Sequence, residues 1–297
     1  MVTTKKRNWK EYNEALVRRG EILLDTDFLS SWQKELGKMN DGKEGARYRY
    51  PDSLVKLLAT IHAYLLPYRQ LEGFIKMFAE HMEDLEVPDY TTMWWRVSRT
   101  EVDLDKSIFQ REEDIVIALD SSGIKVSNRG EWIRQKWKVR RGFIKIHLAV
   151  DVKSKQIISM QVTKEDVPDG RMLRSLVEEA SSKAEVTKVI GDGAYDSREN
   201  FRFLAERGIE PCIKVRKNSS TKAKGCMPRK LAVIEQLKDP EQWKKKHSYG
   251  LRWMAESAIS SLKRTFGEQI SSIKWTNIVK ELLFKASIYN LFIGMNP

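Results

Sequence analysis

Three carboxylates stand out for the chemistry they could do together. Asp120 closes the apolar run IVIALD, Asp192 closes KVIGD, and Glu256 lies on an amphipathic stretch near the end of the 297-residue chain. Short apolar runs that end in a carboxylate read as buried strands with an acid at the sheet rim, which is where open α/β sheets bind ligands. One strand-end Asp is more often a turn former or a helix cap. Two of them, followed by a helix that carries a Glu, form a less ordinary pattern. At about 100° per residue, with Arg252 set to 0°, Lys263 falls near 20°, Glu256 near 40° and Tyr249 near 60°. Leu251, Met254, Ala255, Ala258, Ile259, Leu262 and Phe266 take the opposite side, so the spacing predicts a helix over 249–266 with one polar arc. The plain alternative is a solvated helix with an Arg252–Glu256 pair four residues apart. Hard oxygen donors from Asp120, Asp192 and Glu256 suit Mg²⁺, which keeps several waters and binds phosphate directly. Two such ions roughly 3.5–4 Å apart would activate a water or a 3′-hydroxyl against a phosphodiester and stabilise the leaving oxygen.

The charge of the chain points to the same class of substrate. Lys and Arg number 53 against 41 Asp and Glu, a formal net charge of +12. The excess is unevenly spread, because 51–113 is net acidic. Residues 125–145 hold eight basic side chains against Glu131 alone, and residues 214–246 hold eleven against Glu235, Asp239 and Glu241. Basic blocks of this kind are often solvated surface, but two of them in a strongly basic chain suit a polyphosphate partner. Trp132 and Trp137 in the first block are either stacking platforms for an unpaired base or ordinary packing residues. Cys212 and Cys226 have neither CxxC spacing nor a nearby His, so the sequence suggests neither a disulfide framework nor a structural zinc site. The basic start has no apolar stretch behind it, and no run reaches the ~20 apolar residues of a membrane span, so a cytoplasmic, nucleoid-associated protein is expected.

Other segments must hold these residues in place. Residues 1–50 read as an N-terminal arm ending in an exposed Gly/Lys/Arg-rich linker over 40–52. Residues 51–113 form a helical region: Leu54, Leu57, Leu58, Ile61 and Leu65 recur at helical spacing until Pro67, Leu71, Phe74, Ile75 and Phe78 make a second helix, and Thr91 or Thr92 caps a third. These helices fit a helix-turn-helix whose third member turns Trp94, Trp95, Arg96 and Arg99 toward DNA, or else a plain bundle with the tryptophans in its core. From 114 the texture becomes strand-like. IVIALD, FIKIHLAVD at 143–151 and QIISMQVTK at 156–164 suggest a meander. A helix over 169–183, the strand KVIGD, a helix over 197–207 and a strand at 209–215 complete the order βββαβαβ. His147 sits mid-strand beside Lys145, as a satisfied polar residue near the sheet edge or as a substrate contact. The basic stretch 216–248 has one apolar segment, LAVIEQL, read as a single helix, and a C-terminal helix follows at 277–293.

These residues resemble a known family. Asp120 in IVIALDSSGIKV, Asp192 in GDGAYDS, and the signature Y-x2-R-x3-E-x6-K met by Tyr249, Arg252, Glu256 and Lys263 are similar to the DDE transposases of prokaryotic insertion sequences, groups four and five. LPYRQLEGF at 66–74 and PDYTT at 88–92 extend the resemblance over nearly the whole chain. It implies an α/β fold with a ribonuclease H-like mixed sheet flanked by helices over 114–297, preceded by an all-helical region and carrying the basic insertion 216–248. It implies metal-dependent cleavage at transposon ends and strand transfer by 3′-hydroxyl attack, with Asp120, Asp192 and Glu256 as catalytic residues and metal ligands. Two Mg²⁺ ions, replaceable by Mn²⁺, would serve. Tyr249, Arg252 and Lys263 are expected to contact transposon-end DNA or to support Glu256, and Lys145, Arg140, Trp132, Arg96 and Arg99 are the further expected DNA contacts. The expected partners are terminal inverted repeats, target DNA and a second copy of the chain at synapsis, with no membrane. Some relatives carry a β-rich insertion between the second Asp and the Glu; the 63 residues here are too few and too polar for one, which leaves hairpin formation at the ends open. A catalytically silent DNA-binding derivative and a hydrolytic nuclease of the same fold are the alternatives.

Overall fold

The computed structural model describes residues 8–21, 27–82, 85–100, 104, 114–126, 143–222 and 224–295. Contacts divide the chain into two units, Met1–Val102 with Gly294–Pro297, and Asp103–Ile293. Arg140, Trp132 and Trp137 lie outside the described residues.

The first unit holds α1 (Trp9–Glu21), α2 (Asp27–Asn40), α3 (Asp52–Tyr64), α4 (Tyr68–Ala79) and α5 (Tyr90–Arg99). Leu54, Leu58 and Ile61 are the inward face that the helical spacing of α3 requires, and they bury against Leu71 and Ile75 of α4, Met93 of α5 and Phe28 of α2. The segment after α2 is pinned through Asn40, whose amide holds the Tyr48 backbone both ways at 2.7 and 2.9 Å. The cap of α5 is Asp89 rather than Thr91 or Thr92, because its carboxylate accepts from both threonine N–H groups. Those bonds, with the two threonine hydroxyls, hold its carboxyl well below the usual carboxylate range.

Arg96 is a correction to the expected DNA contacts. It falls one helical turn from Met93, so its side chain turns inward and is buried. There it donates to the Tyr50 carbonyl at 2.9 Å and to Asp52 at 2.6 Å and lies 4.6 Å from the Tyr48 ring centre. Its role is to tie α5 to the start of α3. Trp94 and Trp95 are 40% and 42% exposed rather than core, and Arg99 stacks on Trp95 at 4.0 Å.

The second unit is built on a six-stranded mixed sheet of β1 (Asp114–Val126), β2 (Phe143–Asp151), β3 (Ile157–Lys164), β4 (Glu185–Gly191), β5 (Glu210–Ile213) and β6 (Gln269–Ile270). The order is β3-β2-β1-β4-β5, with β6 against the far end of β1. β1, β2 and β3 form an antiparallel meander, while β4 and β5 run parallel to β1. With α6 (Leu173–Ser181) before β4 and α7 (Arg198–Glu206) before β5, this is the ribonuclease H-like βββαβαβ order. Ile117 and Leu119 of β1 pack with Leu176 and Val177 of α6 and Phe201 and Leu204 of α7 on one face. On the other lies α10 (Trp253–Phe266), preceded by α8 (Met227–Lys238) and α9 (Pro240–Lys246) and followed by α11 (Trp275–Gly294). α11 is fixed to β3 by the buried Asn290 amide, which exchanges hydrogen bonds with the Ile157 backbone at 2.8 and 2.9 Å.

Three boundaries depart from the pattern read in the sequence. β1 does not stop at Asp120, because β2 goes on pairing with it to Lys125 and β6 pairs with Lys125 and Val126. The basic stretch contains two helices, because Asp239 ends α8 and caps α9, accepting from the Glu241 and Gln242 N–H groups ahead of Pro240 at the first turn. The stretch from Asp169 opens as a 3₁₀ turn, Asp169–Arg171, before α6 begins.

His147 is not near an edge, since β2 lies between β1 and β3. It is fully buried, its Nε2 2.8 Å from the Thr163 hydroxyl and its Nδ1 3.6 Å from Asp169. Burial pushes its pKa down to about 4, against the pull of Asp169. The folded state thus takes up this proton less readily than the unfolded chain. Stability is unaffected by this group above about pH 6.5 and falls as pH drops from there toward 4, with a slope of about 1.4 kcal/mol per pH unit. Denaturant unfolding of wild type and His147→Gln across that window should show the variant's stability falling less steeply with acid; equal slopes would contradict this.

Candidate active site

β1 and β4 are adjacent and parallel, and Ala118 pairs with Ile190. Two residues further along each chain stand Asp120 and Asp192. Side chains alternate along a strand, and Ile117 and Leu119 enter the core with α6 and α7, so Asp120 goes to the opposite face, the one α10 covers. Asp192 shares the parity of Ile190. The Asp120 carboxylate accepts from the Ser121 N–H at 2.9 Å, and that of Asp192 accepts from the Ala194 N–H at 2.8 Å, capping the turn Gly193–Tyr195.

Glu256 arrives on the first turn of α10. The helix is not continuous from Tyr249. Ser248 takes a left-handed conformation (φ 54°), Tyr249–Arg252 form a 3₁₀ turn, and the α-helix starts at Trp253. The break sets Tyr249 against Trp243, with ring centres 5.1 Å apart, and burial raises the phenol to about 12 despite the opposing charge of Arg252. Arg252 pairs with Glu256. Its positive charge also acts on Asp120, whose carboxyl is nonetheless raised, first by burial and then by the charges of Glu256 and Asp192. The guanidinium loses some basicity to burial and regains more from Tyr249, Glu256 and Asp120, so it stays cationic. The charges of Glu256, Asp192 and Arg252 therefore all act on Asp120, midway along β1 and level with the end of β4.

Asp120 and Glu256 line a single cavity of about 500 Å³, and Ser121, Ser122, Ser260 and Lys263 line it with them. The donors are hard carboxylate oxygens of the type a divalent cation takes, and burial, followed by the charges of Glu256 and Asp192, lifts the Asp120 pKa. Among the described residues, no three His, Cys, Asp or Glu side chains stand close enough together to hold a metal ion. Asp120 and Glu256 share the cavity, while Asp192 is not among its lining residues and caps its own turn at the neighbouring strand end.

The surroundings of Asp192 are stitched from several elements. The Asn200 side-chain amide donates to the carbonyls of Gly170 and Tyr195 at 3.0 and 2.9 Å, tying the Asp169 turn to the Asp192 turn. A Cβ at Gly170 would lie 2.7 Å from the Ala194 carbonyl oxygen, so only glycine permits this approach. Lys145 belongs to the same framework rather than to a DNA face: its ammonium donates to the Val167 carbonyl and to Asp169, both at 3.1 Å. Alternation along β2 sends it to the side where the Asp169 turn closes over the sheet.

The largest omission from the sequence reading is Asp196, four residues past Asp192. Its side chain is wholly buried and takes a two-pronged bond from Arg229 of α8, at 2.6 and 2.8 Å, with the Arg216 N–H at 2.9 Å. Burial would raise its pKa, but the bonds from Arg229 and Arg216 outweigh that and hold the carboxyl low. Arg229 lies 33 residues away in sequence, and no local spacing announces the pair. Tyr195 is the second: it fills the core under the site, and burial, with the nearby charges of Asp169, Asp120 and Asp192, holds its phenol neutral.

A family model described as a transposase DDE domain matches residues 111–291, and a second of the same description matches 17–129. The chain belongs to the DDE transposases. As such it is a polynucleotidyl transferase and endonuclease, of a family whose domains generally use a divalent metal. Similar solved structures include a piggyBac transposase synaptic complex with hairpin DNA (10% identity over 93% of this chain and 74% of that one, TM-score 0.43). A Drosophila P element transposase strand transfer complex is another (13%, 62% and 42%, TM-score 0.30). Among the transposase's described residues no helix is long and apolar enough to cross a membrane.

Asp196 gives the direct test of this framework. Removing one partner of a buried ion pair strands the other, at about 3–5 kcal/mol. Asp196→Ala should lower unfolding free energy by about that amount in a denaturant titration, and a loss below about 1 kcal/mol would show that the bridge to α8 does not hold the site.

Proposed function

We propose that this DDE transposase belongs to an insertion sequence, cuts DNA at the element's ends and joins the freed 3′-hydroxyls to target DNA. The observation that supports the reading is the cavity lined by Asp120 and Glu256, with Arg252 paired to Glu256 and Asp192 at the end of the adjoining strand, in a chain whose residues 111–291 match a transposase DDE domain. In cleavage, a water oxygen bonds to phosphorus as the bond to the leaving 3′-oxygen breaks, giving an end with a 3′-hydroxyl. In joining, that 3′-oxygen bonds to a target phosphorus and a target 3′-oxygen leaves, so bonds made and broken balance.

Asp120, Asp192 and Glu256 would hold two Mg²⁺ ions, with Mn²⁺ as a substitute. Bound there, the cations would activate the attacking oxygen and stabilise the leaving one. The chain's own residues do the rest. Arg252 keeps Glu256 turned toward the site and offsets the charge that would repel a phosphate. Tyr249, un-ionised at neutral pH, offers a hydrogen-bond donor without adding negative charge. Lys263 on the cavity wall presents an ammonium to the phosphate backbone, the kind of contact that positions DNA without reading its sequence. Trp94, Trp95 and Arg99 on the open side of α5 are available to terminal-repeat DNA, and pairing of two ends calls for two copies of the chain.

The reading is tested with Asp120→Asn on duplexes copied from the DNA flanking the gene, in Mg²⁺. Cleavage and joining should both fall below detection while end binding stays within a few-fold of wild type. A variant that still cuts at the wild-type rate would refute the assignment.

A further inference from the structure

The cavity at the carboxylates does not end with them. β4 stops at Gly191, but β1 runs on to Val126, so its distal half is open on the side where β4 would have paired, up to the point where β6 closes it. α10 runs beside this overhang and makes a trough. One wall is lined by β1 at Ser121 and Ser122, the latter on the same face as Asp120, the other by Ser260, Lys263 and Arg264, and Glu268 stands among the lining residues past the end of the helix. From Glu256 to Arg264 is eight residues, or ~12 Å of helix, the axial rise of roughly three nucleotides of one DNA strand. Beyond the catalytic carboxylates and before Glu268, the charged side chains on the walls are cations and the polar ones hydroxyls. That is the donor set that holds phosphate oxygens.

Arg264 is the informative member. It is exposed, and its hydrogen bond to the Ser260 hydroxyl, at 3.5 Å, is long and weak. Among the described residues no carboxylate pairs with it. An arginine on a helix surface is ordinarily just solvated, but this one lines a concave wall one turn from Ser260 and next to Lys263. Its forked N–H groups are thus available for two-pronged binding of a phosphate. Glu268 would repel a further phosphate, which limits the length of strand held.

We propose that this trough binds the sugar–phosphate backbone of the strand being cut, with Arg264 anchoring a phosphate a few nucleotides from the scissile one. The inference rests on the DNA-cutting reading above and adds the path of the strand. It is tested with duplexes copied from the DNA flanking the gene, each with a single phosphate near the cut replaced by an uncharged methylphosphonate. Cleavage in Mg²⁺ is measured for wild type and Arg264→Ala. On unmodified DNA the variant should cut about 10-fold more slowly. At one position, two to four nucleotides from the cut, the methylphosphonate should slow wild type similarly, and the variant should lose nothing further there. If the variant's defect instead multiplies with every methylphosphonate, or if it cuts unmodified DNA at the wild-type rate, the strand does not lie in the trough. In that outcome the cutting by wild type and its loss in Asp120→Asn keep the proposed function intact, whereas wild type that cuts none of the duplexes overturns both.

Discussion

The repulsion among Asp120, Asp192 and Glu256 is the constraint that the rest of the catalytic unit answers. The Asp120 carboxyl is raised first by its burial and further by the charges of Glu256 and Asp192. The fold accepts that cost and offsets part of it with one cation, Arg252, paired to Glu256 and close enough to act on Asp120. The surplus of negative charge that persists would favour the divalent cation proposed for this site. A site neutralised by several arginines would be more stable and would have less use for metal.

Holding such a site requires that its parts come from rigid elements, and each carboxylate does. Asp120 lies inside a strand, paired with β2 at Leu148 and two residues past the last pair with β4, Asp192 caps a turn at the end of the adjoining strand, and Glu256 sits in the first turn of a helix packed on β1. The loops that could yield are tied down by polar bonds: Asn200 joins the Asp169 and Asp192 turns, Lys145 reaches Asp169 from β2, and the buried Asp196–Arg229 pair fastens α8 to the segment just past Asp192. The basic stretch before Glu256 is thus anchored beside the second aspartate, although many residues separate them in sequence.

How much of this was legible in the sequence depended on whether the deciding interaction was local. Apolar runs ending in Asp and the βββαβαβ order are local signals; that β1 and β4 are parallel neighbours, which brings the ends of the two runs side by side, is a long-range pairing that the runs alone leave open. The polar arc of Arg252, Glu256 and Lys263 is set by helix geometry alone and was equally visible. What escaped was settled by partners distant in sequence. Arg96 and Lys145 are basic residues in basic or helical surroundings, and nothing near them shows that Asp52 or Asp169 will claim their charge. β1 outruns Asp120 because β2 and β6 keep pairing with it, which no pattern inside IVIALD can show. The 3₁₀ turn at Tyr249–Arg252 follows from the left-handed Ser248, and the periodicity of the helix after it gave no sign of the break.

The central claim is that the three carboxylates act as one charged site. The most direct test is Mn²⁺ binding to the full chain, followed by the loss of the free-ion electron paramagnetic resonance signal, in wild type, Asp120→Asn, Asp192→Asn and Glu256→Gln. Each variant should bind Mn²⁺ at least about 10-fold more weakly, because each removes a hard oxygen donor and one charge, while circular dichroism stays unchanged. Wild-type affinity in any of the three, with the fold intact, would contradict the claim.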